Sequence, residues 1–339
     1  MWHTWFDRDL GVAGRLMCKT KNGIEQKLVN LNRPICRIPN LAVHFGGSVP
    51  FEFNKEAQLY PIAGLVEAEL NRTGKSAEDA KKEAEKSKDE DEGDYNPLKA
   101  ATQRHHTYLV ELVAEDAGVA PEDILDFELT LYDTQASCLG GLNNELIFSA
   151  RLDNLMMTYC AVQGLIQSTS PSGKPLDDET TIRLIAGFDH EEIGSTSAQG
   201  ADSNIVPAVV RRLSCLPASS EADSDASYDR VSTDSQDNST AFEQTLASSF
   251  LISADMAHSV NPNYSGKYEA EHKPAMNKGT VLKINANVRY ATNSPGIVLL
   301  QELAKRAKRS SGDMRKSDDG VPLQLFVVKN DSPCGSTIG

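Results

Sequence analysis

From Leu10 to about Pro61 apolar and polar positions follow one another in short β-type runs, Gly14 to Cys18 and Gln26 to Leu31, with Pro34, Pro39 and Pro50 as breaks. That pattern predicts a small β-rich unit. Over Ser76 to Glu92 lysine and glutamate interleave without an apolar stripe, as in a solvated helix or a disordered insert. Helical spacing returns at His105 to Ala117, where Tyr108, Leu109, Leu112 and Val113 are predicted to share a face, and Pro121 suits the first turn of a further element. Phe127 to Tyr132 alternates like a strand. Gly140 and Gly141 then form a natural hinge before Glu145 to Ala150, which sets the expected domain boundary near residue 143.

Downstream of that boundary strand-like and helix-like runs alternate: Arg183 to Phe188, Ile205 to Leu213, Phe250 to Ala254, Val281 to Ile284, Ile297 to Ala307 and Leu323 to Val328. Such alternation predicts an α/β domain over 144–339. Two polar stretches interrupt it, Pro217 to Thr240 and Lys308 to Asp319, both expected as surface loops.

Charge narrows the class of partner. With 34 basic against 48 acidic residues among 339, the formal charge is −14, and no basic cluster offers a nucleic-acid surface. Cysteines 18, 36, 138, 160, 215 and 334 show no Cys-x-x-Cys spacing, which indicates neither a zinc knuckle nor a redox pair, and several lie in apolar surroundings, as expected of buried, reduced thiols in a cytoplasmic protein. The first residues lack the pattern of a signal peptide, and no apolar run is long enough for a membrane helix.

Candidate chemistry concentrates in the second half. Residues 187–200 place Glu191 and Glu192 directly after the apolar run Ile182 to Ala186. Neighbouring side chains diverge, so one carboxylate can hold a metal while the other takes a proton from water. Asp153 precedes the helix-like stretch Leu155 to Gln167, where its plain reading is a helix N-cap, and Asp255 and His258 follow the strand-like Phe250 to Ala254. Three acidic sites at element edges suggest a hydrolytic metal centre, because ligands gather beyond strand ends in α/β folds. Gly194 and Gly200 lack the order and the lysine of a phosphate loop, and Ser195 lacks the frame of a serine hydrolase.

Six segments in order carry a resemblance: Trp-Phe-Asp-Arg-Asp-Leu (5–10), Asp-Thr-Gln (133–135), Ala-Arg-Leu-Asp-Asn-Leu (150–155), Phe-Asp-His-Glu-Glu-Ile-Gly-Ser (188–195), Ser-Ala-Asp-Met-Ala-His (253–258) and Asn-Asp-Ser-Pro-Cys-Gly-Ser-Thr-Ile-Gly (330–339). Together the chain resembles the aspartyl aminopeptidases. The resemblance implies a zinc-exopeptidase-like α/β catalytic domain with an inserted β-rich oligomerisation domain, assigned here to residues 1–143. It also implies two zinc ions, peptide substrates with an N-terminal Asp or Glu, and a homo-oligomer. On matching positions Asp153 resembles the bridging ligand, Glu192 and Asp255 the carboxylates on separate ions, and Glu191 the general base. His44, His258 and Lys278 are the residues expected to touch substrate, Lys278 as the counter-charge to an acidic side chain.

The family's two histidine ligands come from segments upstream of the first motif and downstream of the last, and neither has a counterpart among residues 1–339. The expectation is therefore a chain truncated at both ends whose zinc site retains oxygen donors alone, a set better suited to harder cations. A rival expectation is a catalytically weak or inactive relative that serves as an oligomerisation or interaction protein.

Overall fold

The computed structural model describes residues 2–41, 44, 53–74, 78, 82, 100–170, 176, 179–216, 239–285, 290, 292–307 and 320–329. Most of the charged stretch 76–92, the polar stretches 217–238 and 308–319, and the motif at 330–339 lie outside these residues. The chain divides into two compact units, Met1–Ala150 and Arg151–Gly339.

The first unit is organised by β1 (Leu10–Thr20), which pairs antiparallel with β2 (Gly23–Cys36) on one side and with β3 (Ile124–Asp133) on the other. As the central strand it alternates: Leu10, Val12, Leu16 and Cys18 are buried. Gly14 belongs to the same parity, and a Cβ there would stand 2.0 Å from the Glu128 carbonyl oxygen, so the close approach of β3 requires glycine. Two of the motif segments meet where β1 begins and β3 ends. Arg8 pairs with Asp133, Arg37 with Asp9, and Thr134 N donates to Asp9 O at 3.0 Å.

Helix α1 (Val66–Thr73) precedes α2 (Thr107–Ala117), which covers the sheet. His106 caps α2 by accepting from Tyr108 N at 3.2 Å, and Gly118, at φ +66°, ends it in the left-handed conformation. The buried face of α2 is Val110, Val113 and Ala114, with Leu109 and Leu112 packed beside it. Tyr108, expected on that face, is 36% exposed and lies under the Arg72 guanidinium instead. The reason is angular: 109, 110, 113 and 117 line up toward the sheet, which leaves 108 at the edge. Asp116 ties the helix to β2 by accepting from Asn30 N at 2.8 Å. Gly140 and Gly141 turn the chain between β4 (Cys138–Gly140) and β5 (Leu146–Phe148), a hairpin inside the first unit.

In the second unit α3 (Leu152–Ser168), α4 (Ile205–Ser214) and α5 (Ala241–Ala247) precede a parallel pair. That pair is β6 (Thr280–Ile284) and β7 (Leu323–Val327), joined through α6 (Ser294–Arg306). The β-α-β connection is the α/β signature expected. Two expected strands are not formed. Arg183 to Phe188 and Phe250 to Ala254 run without ladder partners among the described residues, and Leu184, Phe250 and Leu251 are 50%, 56% and 79% exposed. A strand needs a neighbour for its N–H and C=O groups, and composition alone does not supply one.

Because Leu16 is fully buried at the centre of β1 against α2, Leu16→Ala is expected to cost the first unit about 3 kcal/mol. Denaturant unfolding measures this. A loss below about 1 kcal/mol would show that the core is not closed around it.

Candidate metal centre

The Glu191–Glu192 pair sits on a loop folded on itself. Asp189 N donates to Gln199 O (3.1 Å), Ser195 N to His190 O (2.9 Å), Gly194 N to Glu191 O (3.0 Å) and Asp202 N to Ser195 O (3.1 Å), while His190 Nδ1 and Ser197 Oγ are 2.7 Å apart. Ser195, at φ +62° and 2% exposed, is the pivot. Gly200 is required against it, since a Cβ there would lie 2.0 Å from the Ser195 carbonyl oxygen. Sequence order thus hides a backbone-bonded loop with the two carboxylates on its outer turn.

Asp153 stands in the irregular first turn of α3. The helix starts after Arg151, which adopts φ +62°, and Asp153 itself has extended backbone (φ −84°, ψ 114°), with a cis peptide to Asn154. Arg151 holds the N-cap position of α3, so Asp153 is not the N-cap. Asn154 is the connector: with its amide nitrogen turned to the carboxylates it donates to Asp153 Oδ1 at 2.8 Å and to Asp255 Oδ1. Asp255 also accepts from Met256 N at 2.7 Å and, through Oδ2, from Lys283 Nζ at 3.2 Å. This ion pair is half-buried, the two side chains being 22% and 19% exposed, so water screens it less than a surface pair.

Crowding of like charge sets the titration. Partial withdrawal from water, a hydrogen bond to Asp255, and the charges of Asp255 and Glu192 raise the Asp153 carboxyl above its ordinary value, with Lys283 opposing. Glu191 is raised too, first by withdrawal from water and then by the charges of Glu192, Asp255 and Asp153, with a side-chain hydrogen bond to Asn154 opposing. Four carboxylates from three segments thus feel one another. Two residues of this centre escaped the sequence reading, Asn154 and Lys283. The available signals were an amide beside a candidate ligand and one charged side chain inside the apolar run Val281 to Ile284.

The remaining expected residues are not in the cluster. Lys278 is exposed on the turn before β6, where the basic residue that reaches Asp255 is Lys283 five positions on. His258 is exposed and engaged with Tyr268. His44 is exposed in the first unit.

Among the described residues no three His, Cys, Asp or Glu side chains are set to close on one ion. The donors at Asp153, Glu192 and Asp255 are all oxygen, and the imidazoles of His190 and His258 are turned to Ser197 and Tyr268. Crowded carboxylates with a single lysine fit the anionic share of a divalent-cation site. The nitrogen ligands that zinc favours are not among them.

Carboxylates gathered from a helix start, a loop turn and an extended segment define an α/β unit with an acidic, metal-type centre. The chain belongs to the aminopeptidase I zinc metalloprotease family, M18, whose model matches residues 1–339. It is 60% identical over 340 residues to an aspartyl aminopeptidase of Aspergillus oryzae, covering 100% of this chain and 64% of that protein. The chain thus spans less than two thirds of that relative. Among solved structures it is similar to a chain of the cryo-EM structure of the Ape4 and Nbr1 complex, at 42% identity and a TM-score of 0.78, covering 100% of this chain and 56% of that one. A structure of the S. cerevisiae mApe1 dodecamer matches at 26% identity and a TM-score of 0.60, covering 96% of this chain and 58% of that one.

If Gly200 holds the loop shut, Gly200→Ala is expected to raise amide hydrogen exchange across residues 189–202 by on the order of tenfold while β1 to β3 stay protected. Unchanged exchange in the loop would mean that Ser195 yields to the added methyl and is no pivot.

Proposed function

We propose that this chain carries the acidic centre of an aminopeptidase that removes N-terminal Asp or Glu from peptides. The observation that supports the reading most directly is the contact of Asp153 with Asp255 across Asn154, with Glu191 and Glu192 beside it. In this reading Asp153, Glu192 and Asp255 are the residues that would hold the zinc of the family, and zinc held there would supply Lewis acidity toward a scissile carbonyl. Glu191 takes the proton of the attacking water and returns it to the leaving amine. A carboxylate beside a residue that would hold the metal can carry out both halves of that transfer as a general base and then a general acid. Asn154 keeps Asp153 and Asp255 together, and Lys283 gives an acidic substrate side chain its counter-charge in place of Lys278.

The first unit, with its closed β-sheet core, is read as the oligomerisation domain, and a homo-oligomer is the expected assembly. No helix among the described residues is long and apolar enough to cross a membrane, and a cytoplasmic setting is the simplest one for the free thiols Cys18 and Cys36, which burial pushes up in pKa. The oxygen-only donor set favours a second reading, in which the chain is a catalytically weak or inactive relative that acts as an oligomerisation or interaction protein. Zinc titration with an N-terminal aspartyl substrate separates the two: turnover that saturates with zinc supports the enzyme, and folded chain without turnover supports the interaction protein.

In the active enzyme Glu191→Gln is expected to lower kcat on the order of a hundredfold or more with zinc content unchanged. Zinc lost in step with activity would make Glu191 a ligand and reverse the assignment of the pair. Asp153→Ala is expected to release both ions, measured by atomic absorption; one tightly held zinc would sink the bridging role. Lys283→Met should reduce kcat/KM for aspartyl substrates about tenfold more than for neutral ones. Equal losses would leave the ammonium a purely structural partner of Asp255.

A further inference from the structure

Lys283 is a charged residue within an otherwise apolar run. It lies in β6 opposite Phe326 of β7, next to the buried Leu282, so strand pairing fixes its backbone. Its ammonium reaches Asp255 Oδ2 at 3.2 Å in a half-buried pair. The two oxygens of Asp255 are used differently. Oδ1 accepts from Met256 N at 2.7 Å and from the Asn154 amide, which takes up both of its lone-pair positions. The oxygen left for a metal is Oδ2, and there the ammonium stands. An ammonium and a dication on one carboxylate oxygen repel each other, and in a half-buried pair water screens that repulsion poorly. Asp255 therefore cannot serve both at once. Lys283 has somewhere to go: its stem is flexible, and the Tyr290 ring centroid lies 5.8 Å from Nζ, within the range of a cation–π contact.

We propose that Lys283 is the centre's own counter-ion: its ammonium holds Asp255 Oδ2 in the place of a divalent cation and leaves that oxygen when the cation binds. This rests on the aminopeptidase reading, which gives Asp255 to the metal, and adds an exchange to it. Two consequences follow from the charges. Without metal, the ammonium offsets part of the repulsion among Asp153, Glu191, Glu192 and Asp255, so the carboxylates keep their places before a cation arrives. With metal, the same ammonium is a competitor, and the affinity of the centre is set below what its carboxylates alone would give. Within the aminopeptidase reading the exchange also orders two events, since Lys283 is released toward an acidic side chain only after Oδ2 has passed to the metal.

The test measures zinc binding to the 339-residue chain and to Lys283→Met by calorimetry, with no substrate present. Methionine keeps most of the apolar stem and removes the charge. The variant is expected to bind zinc about tenfold more tightly than the unaltered chain, because a unit positive charge beside the dication is gone. A lysine with a merely structural role predicts the opposite, a loss of affinity as the site loosens. The second measurement needs no variant that folds: in the ¹⁵N-lysine-labelled chain, the Nζ–H₃ signal that shows the Asp255 contact is expected to shift or broaden as zinc reaches one equivalent. An equal or lower affinity in Lys283→Met overturns the exchange and leaves the metal reading standing. So does an Nζ signal that stays unchanged at zinc saturation, which would mean that the ammonium acts as a background charge without leaving Oδ2. Failure of both chains to bind zinc overturns the metal reading itself, and the exchange with it.

Discussion

Everything distinctive in the second unit depends on bringing the Asp153 and Asp255 carboxylates into contact. Two like charges at that range repel, and the protein meets the repulsion with a neutral donor and one cation. Asn154 donates to an oxygen of each carboxylate, and Lys283 stands on the second oxygen of Asp255. What repulsion remains appears as the raised carboxyls of Asp153 and Glu191. A divalent cation is the natural relief for such an arrangement, which is why the centre reads as one half of a metal site.

Holding carboxylates against their own repulsion requires rigid carriers, and the three segments achieve this differently. Asp153 is fixed by an irregular helix start. Glu191 and Glu192 ride on a loop whose hydrogen bonds are internal and whose turn is locked by Ser195 against Gly200. Asp255 follows an extended segment and is anchored by the N–H of Met256 and by Lys283 of β6. Only the last depends on a sheet.

The periodic parts of the fold were legible in the sequence and the non-periodic parts were not. Leu10, Val12, Leu16 and Cys18 advertise a half-buried strand by alternation, and Ile297 to Ala307 a helix by its spacing, because burial repeats with the geometry of the element. The same reasoning overreached at Arg183 to Phe188 and Phe250 to Ala254, where β-branched and aromatic composition implies a strand but pairing requires a partner that composition does not name. It also placed Tyr108 within the buried face of α2, where the structure leaves it at the edge. In the acidic centre, Asp153, Glu191, Glu192 and Asp255 stood out because carboxylates at element edges are chemically conspicuous. Lys283 was passed over for Lys278, since a lysine in a Lys-Gly turn looks accessible and a lysine within a strand looks structural. Which one reaches a carboxylate is decided by strand register, a tertiary fact.

The choice of asparagine as connector has a chemical logic of its own. An arginine between Asp153 and Asp255 would neutralise them more fully, yet its fork would claim both oxygens of a carboxylate and its charge would compete with any incoming cation. The two amide hydrogens of Asn154 cap one oxygen on each carboxylate and add no net charge. Lys283 stands on the opposite oxygen of Asp255, and because the amide is neutral the negative potential that attracts a cation is kept. Lys283 fits the same scheme because an ammonium is a point charge on a flexible stem, able to leave Asp255 for a second anion, whereas a guanidinium locked to a carboxylate is not. A centre built this way keeps four carboxylates in reach of one another with a neutral amide and one ammonium as their partners.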